Sequence, residues 1–163
     1  MRNTFMEWFG LSVPILQAPI GGAATPRLVI EVGRAGGMGS LALTWTPYET
    51  SRDRIAEIKA ANVPFFINFV LRFGTAALVP VIALGVPAVT LSWGIDEAAI
   101  RLIKDSRAKA GVQVGSLAGA RAAIAAGADF LVVQGIESGG HVHSSTPLMK
   151  LLDDVAAIAD GVP

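Results

Sequence analysis

The sequence predicts a parallel α/β fold, and three observations carry that prediction. Short runs rich in Val, Ile, Leu and Phe recur along its 163 residues, each too short for a helix and apolar on both faces. Between them lie stretches whose apolar residues repeat at helical spacing. The joints from helix to strand are alike: Gly36-Gly37, Asn62-Val63-Pro64, Gly85-Val86-Pro87, Gly111-Val112 and Gly127-Ala128-Asp129. Regular alternation of this kind implies right-handed crossovers between parallel strands. No reversal and no single dominant phosphate loop is visible, which favours the (β/α)8, TIM-barrel type over an open doubly wound sheet.

The elements follow in order. Residues 4–9 make one amphipathic helical turn, and the first strand spans 13–18, closed by Pro19-Ile20-Gly21-Gly22. Thr25 caps a helix with Pro26 in its first position. Leu28, Val29, Val32 and Ala35 form its apolar face, and Gly36-Gly37 ends it. The second strand is 38–43. Thr46-Pro47 starts a helix to about residue 61, and 65–69 is the third strand, with Asn68 near its end. A helix over 75–84 leads to the fourth strand, 88–92. Asp96 caps the next helix, to about Arg107. A short fifth strand, 112–114, contains Gln113; a helix over 117–126 then delivers the sixth strand, 129–134. Thr146-Pro147 opens a last helix over 148–159. Gly161-Val162-Pro163 repeats the joint Gly85-Val86-Pro87, after which a strand is expected. Residues 1–163 are therefore expected to form a single incomplete barrel domain of about six βα units, ending before strand seven. Its unpaired strand edges would invite self-association or a missing C-terminal half.

Composition narrows the function. The chain is 52% hydrophobic and 16% charged, with zero formal net charge and no Lys/Arg run, so neither nucleic acid nor an anionic membrane is an expected partner. It has no cysteine, which excludes disulfides and thiolate chemistry. Residues 73–95 are uncharged and long enough to span a bilayer, but Pro80, Gly85 and Pro87 divide them into a helix and a strand. The cytoplasm is the expected location.

Polar residues collect where strands end. The stretch from Asp129 to His143 begins as a buried strand and finishes in a glycine-lined polar loop, Gln134-Gly135-Ile136-Glu137-Ser138-Gly139-Gly140-His141. Gln17, Asn68, Ser92, Gln113 and Gln134 all fall at or near strand C-termini, which converge on one face of a parallel barrel. These neutral amides and hydroxyls suit a polar heterocycle better than a metal. His141 and His143 stand two apart with Glu137 nearby, yet side chains at that spacing diverge in extended chain and no third ligand is evident. His141, after two glycines, suits acid/base work, its ordinary pKa lying near neutrality. His143 reads as an exposed loop histidine. Trp45 and Trp93, close to strand ends, either wall a pocket or join the core.

Four stretches together resemble the nitronate monooxygenase (2-nitropropane dioxygenase) family. They are residues 13–22, residues 35–40, Asn68 and residues 134–141, collinear over essentially the whole chain. The resemblance implies a TIM barrel with FMN as cofactor, oxidising nitronates or nitroalkanes with dioxygen. It implies that backbone at Pro19 and Ile20 lies near the isoalloxazine, that Asn68, Gln134 and Gly139, with Gly140 beside it, contact FMN, and that Gln113 is a polar flavin neighbour. It makes His141 the base that removes the substrate's α-proton. The family holds the FMN phosphate on loops after strands seven and eight, outside this sequence. Two other readings stand beside it. One is the related FMN-dependent enoyl-acyl-carrier-protein reductase, which shares a similar Gly-Gly-His loop; the other is a non-catalytic fragment or one half of a split barrel.

Overall fold

The computed structural model describes residues 3–163. Five strands pair side by side in sequence order, every pair parallel: β1 (Gly39–Ala42), β2 (Phe65–Val70), β3 (Ala88–Ser92), β4 (Lys109–Val114) and β5 (Phe130–Val133). Seven α-helices alternate with them among the described residues: α1 (Thr4–Phe9), α2 (Pro26–Arg34), α3 (Tyr48–Ala60), α4 (Leu78–Ile82), α5 (Glu97–Asp105), α6 (Leu117–Ala125) and α7 (Leu148–Ala156). The result is a partial (β/α) barrel of five to six units. Among the described residues no helix is long and apolar enough to cross a membrane.

The strand expected over 13–18 shrinks to one parallel bridge, Leu16 to Met38. Pro14 and Pro19 bracket it, and proline has no N–H to give to a ladder. Two backbone bonds hold what remains, Met38 N–H to Ile15 O and Gln17 N–H to Met38 O, both 2.9 Å. Gln17 adds two more, its Oε1 accepting the Ser40 N–H at 2.9 Å and its carbonyl accepting the Ser40 hydroxyl at 2.8 Å. Gln17 thus fastens the first segment to β1. β4 begins three residues earlier than its apolar run implies, because Lys109, Ala110 and Gly111 are carried into the ladder by β3. α4 is shorter than 75–84, as Pro80 inside it removes one helical N–H and restricts the residue before it. The caps at Thr25 and Asp96 form as expected, donating N–H groups being Leu28 and Ala99. Thr46 and Thr146 do not cap; Pro47 and Pro147 occupy those positions without a side-chain bond of their own.

Alternation along each strand sorts the side chains into two layers. Leu41, Ile67, Phe69, Val89, Leu91, Val112 and Val114 face outward and meet the helices in the main core. The intervening residues face the barrel axis. At the strands' N-terminal end these are Met38, Phe66, Ala88 and Phe130, closed from below by Met6 and Leu11 around α1. Phe5 meets Phe130 edge-on, centroids 4.9 Å apart. One step higher the interior turns polar, with Ser40, Asn68, Thr90 and Ser92 all buried. On the outer edge of β5, Leu131 N–H donates to Pro163 O at 2.8 Å. Among the described residues no backbone bond joins β5 to residues 14–17; the two flank a cavity of about 530 Å³ lined by Phe5, Met6, Pro14, Leu16, Phe130 and Val162.

Gly39 marks the closest helix–strand approach in the first unit. A Cβ there would lie 2.6 Å from Val29 Cα and 2.7 Å from its carbonyl oxygen, backbone atoms that cannot swing aside. Gly39→Ala should therefore cost about 1–3 kcal/mol in urea unfolding, as overpacked core sites do. Gly139→Ala, where nothing lies within 4 Å, should leave the midpoint within about 0.5 kcal/mol of the parent. Equal effects would show that the α2–β1 contact is looser than described.

Candidate active site

All strands run the same way, so the loops that follow them gather at one end. The polar interior opens there. Asn68 is 5% exposed, and its Nδ2 donates to Thr90 Oγ1 at 3.0 Å, Thr90 O at 3.3 Å and Ser92 Oγ at 3.3 Å. Ser92 Oγ donates in turn to Phe69 O at 3.4 Å. These bonds fix the amide's orientation and leave Asn68 Oδ1 as an acceptor that takes no bond from the described residues. Half-buried Gln113 and Gln134 stand on adjoining strand ends, Gln113 in register with Val132.

The loop after β5, residues 134–147, is tied down at its base. Ile136 N–H donates to Thr146 O at 2.9 Å, and the Glu137 carboxylate accepts the Leu148 N–H at 2.9 Å. Glu137 thereby supplies the N-terminal cap that Thr146 does not, an arrangement the positive end of α7 favours. Gly135 sits against the start of α7, where a Cβ would fall 2.5 Å from Leu148 Cα. Above this base, Gly139, Gly140 and His141 are exposed.

The descending limb folds back over the barrel. His143 N–H reaches Gln134 Oε1 at 3.4 Å. Its ring lies against Trp93, centroids 5.4 Å apart at an interplanar angle of 32°, while His141 meets the same indole edge-on at 6.0 Å. Trp93 follows β3 directly and has φ 62°, a left-handed conformation that bulky residues rarely adopt. Such strain persists where the surroundings enforce it, and it collects at binding sites. A chain of contacts thus runs from Asn68 through Ser92 to Trp93, and on to His143 and Gln134.

Trp93 links the predicted residues indirectly, Asn68 through Ser92 before it, His141 by an edge-on ring contact and Gln134 through His143, with Gln113 on the next strand end. Pro19 and Ile20 lie on the far flank, beyond β1. There Ile20 O accepts from Ala23 and Ala24, at 2.9 and 3.2 Å, in a 3₁₀ turn over Gly21–Ala23. His143, read from sequence as an exposed loop residue, is half-buried, and its Nε2 is buried without a hydrogen-bond partner. Ser138 Oγ is in the same state. The only sequence signal for either was proximity to the Gly-Gly-His motif. Trp93 walls the site and does not enter the core.

Burial lowers the His143 pKa below its ordinary 6.5, since a desolvated ring resists charge. An unfolded chain takes up that proton at higher pH than the folded one. Folding stability should therefore fall as pH drops from about 6.5 through the folded-state value, and His143→Phe should remove that component of the pH dependence. An NMR titration of His143 at or above the ordinary range would contradict the burial described.

Comparison with known proteins adds kinship to this geometry. FabK from Thermotoga maritima superposes with a TM-score of 0.88 at 30% identity, over 96% of this chain and 51% of that one. A nitroalkane oxidase from Streptomyces ansochromogenes shares the fold, with a TM-score of 0.84 at 24% identity over 95% of this chain and 58% of that one. In sequence, a (3aS,4S,5R,7aS)-5-hydroxy-7a-methyl-1-oxo-octahydro-1H-indene-4-carboxyl-CoA dehydrogenase from Mycobacterium tuberculosis is 30% identical over 100% of this chain and 47% of its own length. A nitronate monooxygenase from Pseudomonas aeruginosa is 39% identical over 42% of this chain and 20% of its own. The chain spans about half the length of the relatives it matches end to end. The family model described as "Nitronate monooxygenase" matches residues 76–163, from before α4 to the last residue and including the whole Gly-Gly-His loop. By that match, over more than half of its length, the chain belongs to the nitronate monooxygenase family.

Proposed function

We propose that this chain builds the flavin-facing part of an FMN-dependent oxidoreductase that reduces the carbon–carbon double bond of an unsaturated acyl thioester. The observation that carries the flavin is the uncharged polar mouth. A free acceptor at Asn68 Oδ1, the half-buried amides of Gln113 and Gln134, and two buried polar atoms without partners, Ser138 Oγ and His143 Nε2, suit a neutral heterocycle. Gly21, Gly22, Gly139 and Gly140 have open space where a Cβ would stand, so backbone can approach a flat ligand there. The residues present fit FMN. Asn68, Gln113 and Gln134 would hold its ring edge, with Pro19 and Ile20 on one side and Gly139-Gly140 on the other.

When bound, FMN would supply two-electron hydride chemistry between a reduced nicotinamide and the acceptor. The chain's own residues orient and protonate. Thr90 and Ser92 fix the Asn68 amide, Glu137 holds the loop that carries His141, and His141 gives a proton to the substrate's α-carbon. The thioester reading is favoured by the close likeness to FabK and by the carboxyl-CoA dehydrogenase aligned along the entire chain. A second reading, oxidation of nitronates or nitroalkanes with dioxygen, is supported by the family match and the nitronate monooxygenase relatives. There His141 removes the proton from the carbon bearing the nitro group. Both readings give His141 the same task, moving a proton next to an electron-withdrawing group.

Turnover decides between them. With FMN supplied, crotonyl-CoA and a reduced nicotinamide without oxygen should outpace preformed nitronate in air; turnover of nitronate alone would reverse the assignment. His141→Ala should keep flavin affinity and lose about 10²–10⁴-fold in rate, the usual cost of deleting an acid or base. Asn68→Ala and Gln134→Ala should instead weaken FMN binding, read from the flavin's visible spectrum. Unchanged binding in both would remove these amides from the cofactor site.

A further inference from the structure

Trp45 and Phe73 stand out on the same end of the barrel. They are 62% and 61% exposed, yet they lie against each other, ring centroids 5.1 Å apart at 55°. Large apolar side chains that face water in contact mark a surface awaiting a ligand more than they mark a core. Trp45 follows β1 and Phe73 follows β2, and these strands are hydrogen-bonded neighbours, with Ala42 opposite Asn68. The pair therefore sits on the rim beside the Asn68 opening. It is also held in place: Thr44 Oγ1 accepts the Val70 N–H at 2.8 Å, tying the loop after β1 to the end of β2. Gly74 N–H donates to Leu71 O at 3.0 Å, closing the turn that carries Phe73. A ligand meeting so ordered a shelf loses little additional conformational entropy.

Charge on the rim is sparse and one-sided. Across the strand-following loops, residues 18–25, 43–47, 71–77, 93–96, 115–116 and 134–147, Arg72 is the only Lys or Arg, and Asp96 and Glu137 are the only carboxylates. Both carboxylates are committed to helix N-termini, at Ala99 and Leu148. Arg72 is exposed, adjoins Phe73, and takes part in no ion pair among the described residues.

We propose that this rim is the substrate-docking site, with the Trp45–Phe73 shelf taking the hydrocarbon of a coenzyme A thioester and Arg72 taking a phosphate of its carrier. The inference rests on the thioester reading above and narrows it to a small anionic carrier. A guanidinium suits phosphate through paired, charge-assisted hydrogen bonds. An acidic carrier protein would call for a cluster of cations to steer and hold it, whereas these loops offer the single cation Arg72.

The test is ¹⁹F NMR of the chain labelled with 5-fluorotryptophan, its three tryptophans assigned by Trp→Phe variants. It is titrated with coenzyme A, butanoyl-CoA and octanoyl-CoA. The Trp45 resonance should move while Trp8 stays, and affinity should rise about tenfold for each two methylenes buried. Phe73→Ala should flatten that dependence on chain length. Arg72→Ala should weaken all three ligands alike, by about tenfold, and reduce the effect of salt. Three results would each overturn the proposal: a Trp45 resonance unmoved by octanoyl-CoA, one that moves with protein concentration alone because a second copy covers it, or a chain-length dependence that survives Phe73→Ala. No turnover enters the measurement, so failure of the flavin or of the reaction would sink the proposed function while leaving this result legible.

Discussion

The hydrogen bonds that hold the Asn68 amide inside the barrel govern the geometry of everything above them. A buried amide left without partners costs about 1–3 kcal/mol, so Asn68 is tolerable at this depth only because Thr90 and Ser92 receive it. Those two residues stand two apart on β3 and so share a face. The pairing of Asn68 with Thr90 is also the β2–β3 register. A slip of one residue would turn Asn68 into the helix layer and Phe69 into the axis. Ser92 closes the network through Phe69 O, and the next residue is Trp93 in its left-handed conformation. The polar layer thus sets the register of the sheet, the exit of β3 and the position of the indole on which both histidines rest.

Much of this was legible in the sequence, and the part that was not has a common cause. Strands buried on both faces announce themselves as short apolar runs, and the caps at Thr25 and Asp96 are local events that need only their own helix. Asn68 and Gln134 were legible as polar residues at the ends of such runs. The first strand was overestimated because an apolar run does not reveal that flanking prolines leave it one bridge long. The cap at Glu137 went unseen and His143 was misread because their partners lie on other elements. The carboxylate turns to α7, and the imidazole folds onto a tryptophan fifty residues earlier in the chain. Trp45 could be placed near a strand end, but its pairing with Phe73 depends on two loops meeting in space.

The kinship sharpens where specificity resides. The family model covers residues 76–163, the part that contains the histidine loop, whereas likeness to FabK extends over 96% of the chain. A shared barrel carries no reaction by itself; chemistry is set by what the loops present. Here the interior below the mouth is common ground for either reaction. The rim on β1 and β2 differs in character from the loop on β5, one being aromatic and exposed and the other glycine-rich and anchored at its base. Under the proposals above, selection of a substrate and handling of its proton would fall to different sides of one opening.

The strand order β1-β2-β3-β4-β5 also bears on how the protein comes into being. Each strand pairs with the one made just before it, so none has to wait for a distant partner. Two lysines reinforce the scheme, Lys59 donating to Leu84 O at 2.6 Å and Lys104 to Gly127 O at 2.7 Å, each binding one helix end to the close of the following unit. Contacts so near in sequence have little loop entropy to overcome and form early. On the ribosome, where the N-terminal part emerges first, the barrel can be laid down unit by unit in the order of translation. Two edges then stay open throughout, the newest strand close to the tunnel exit and the side of β1 toward residues 14–17, which among the described residues carries only the bridge from Leu16 to Met38.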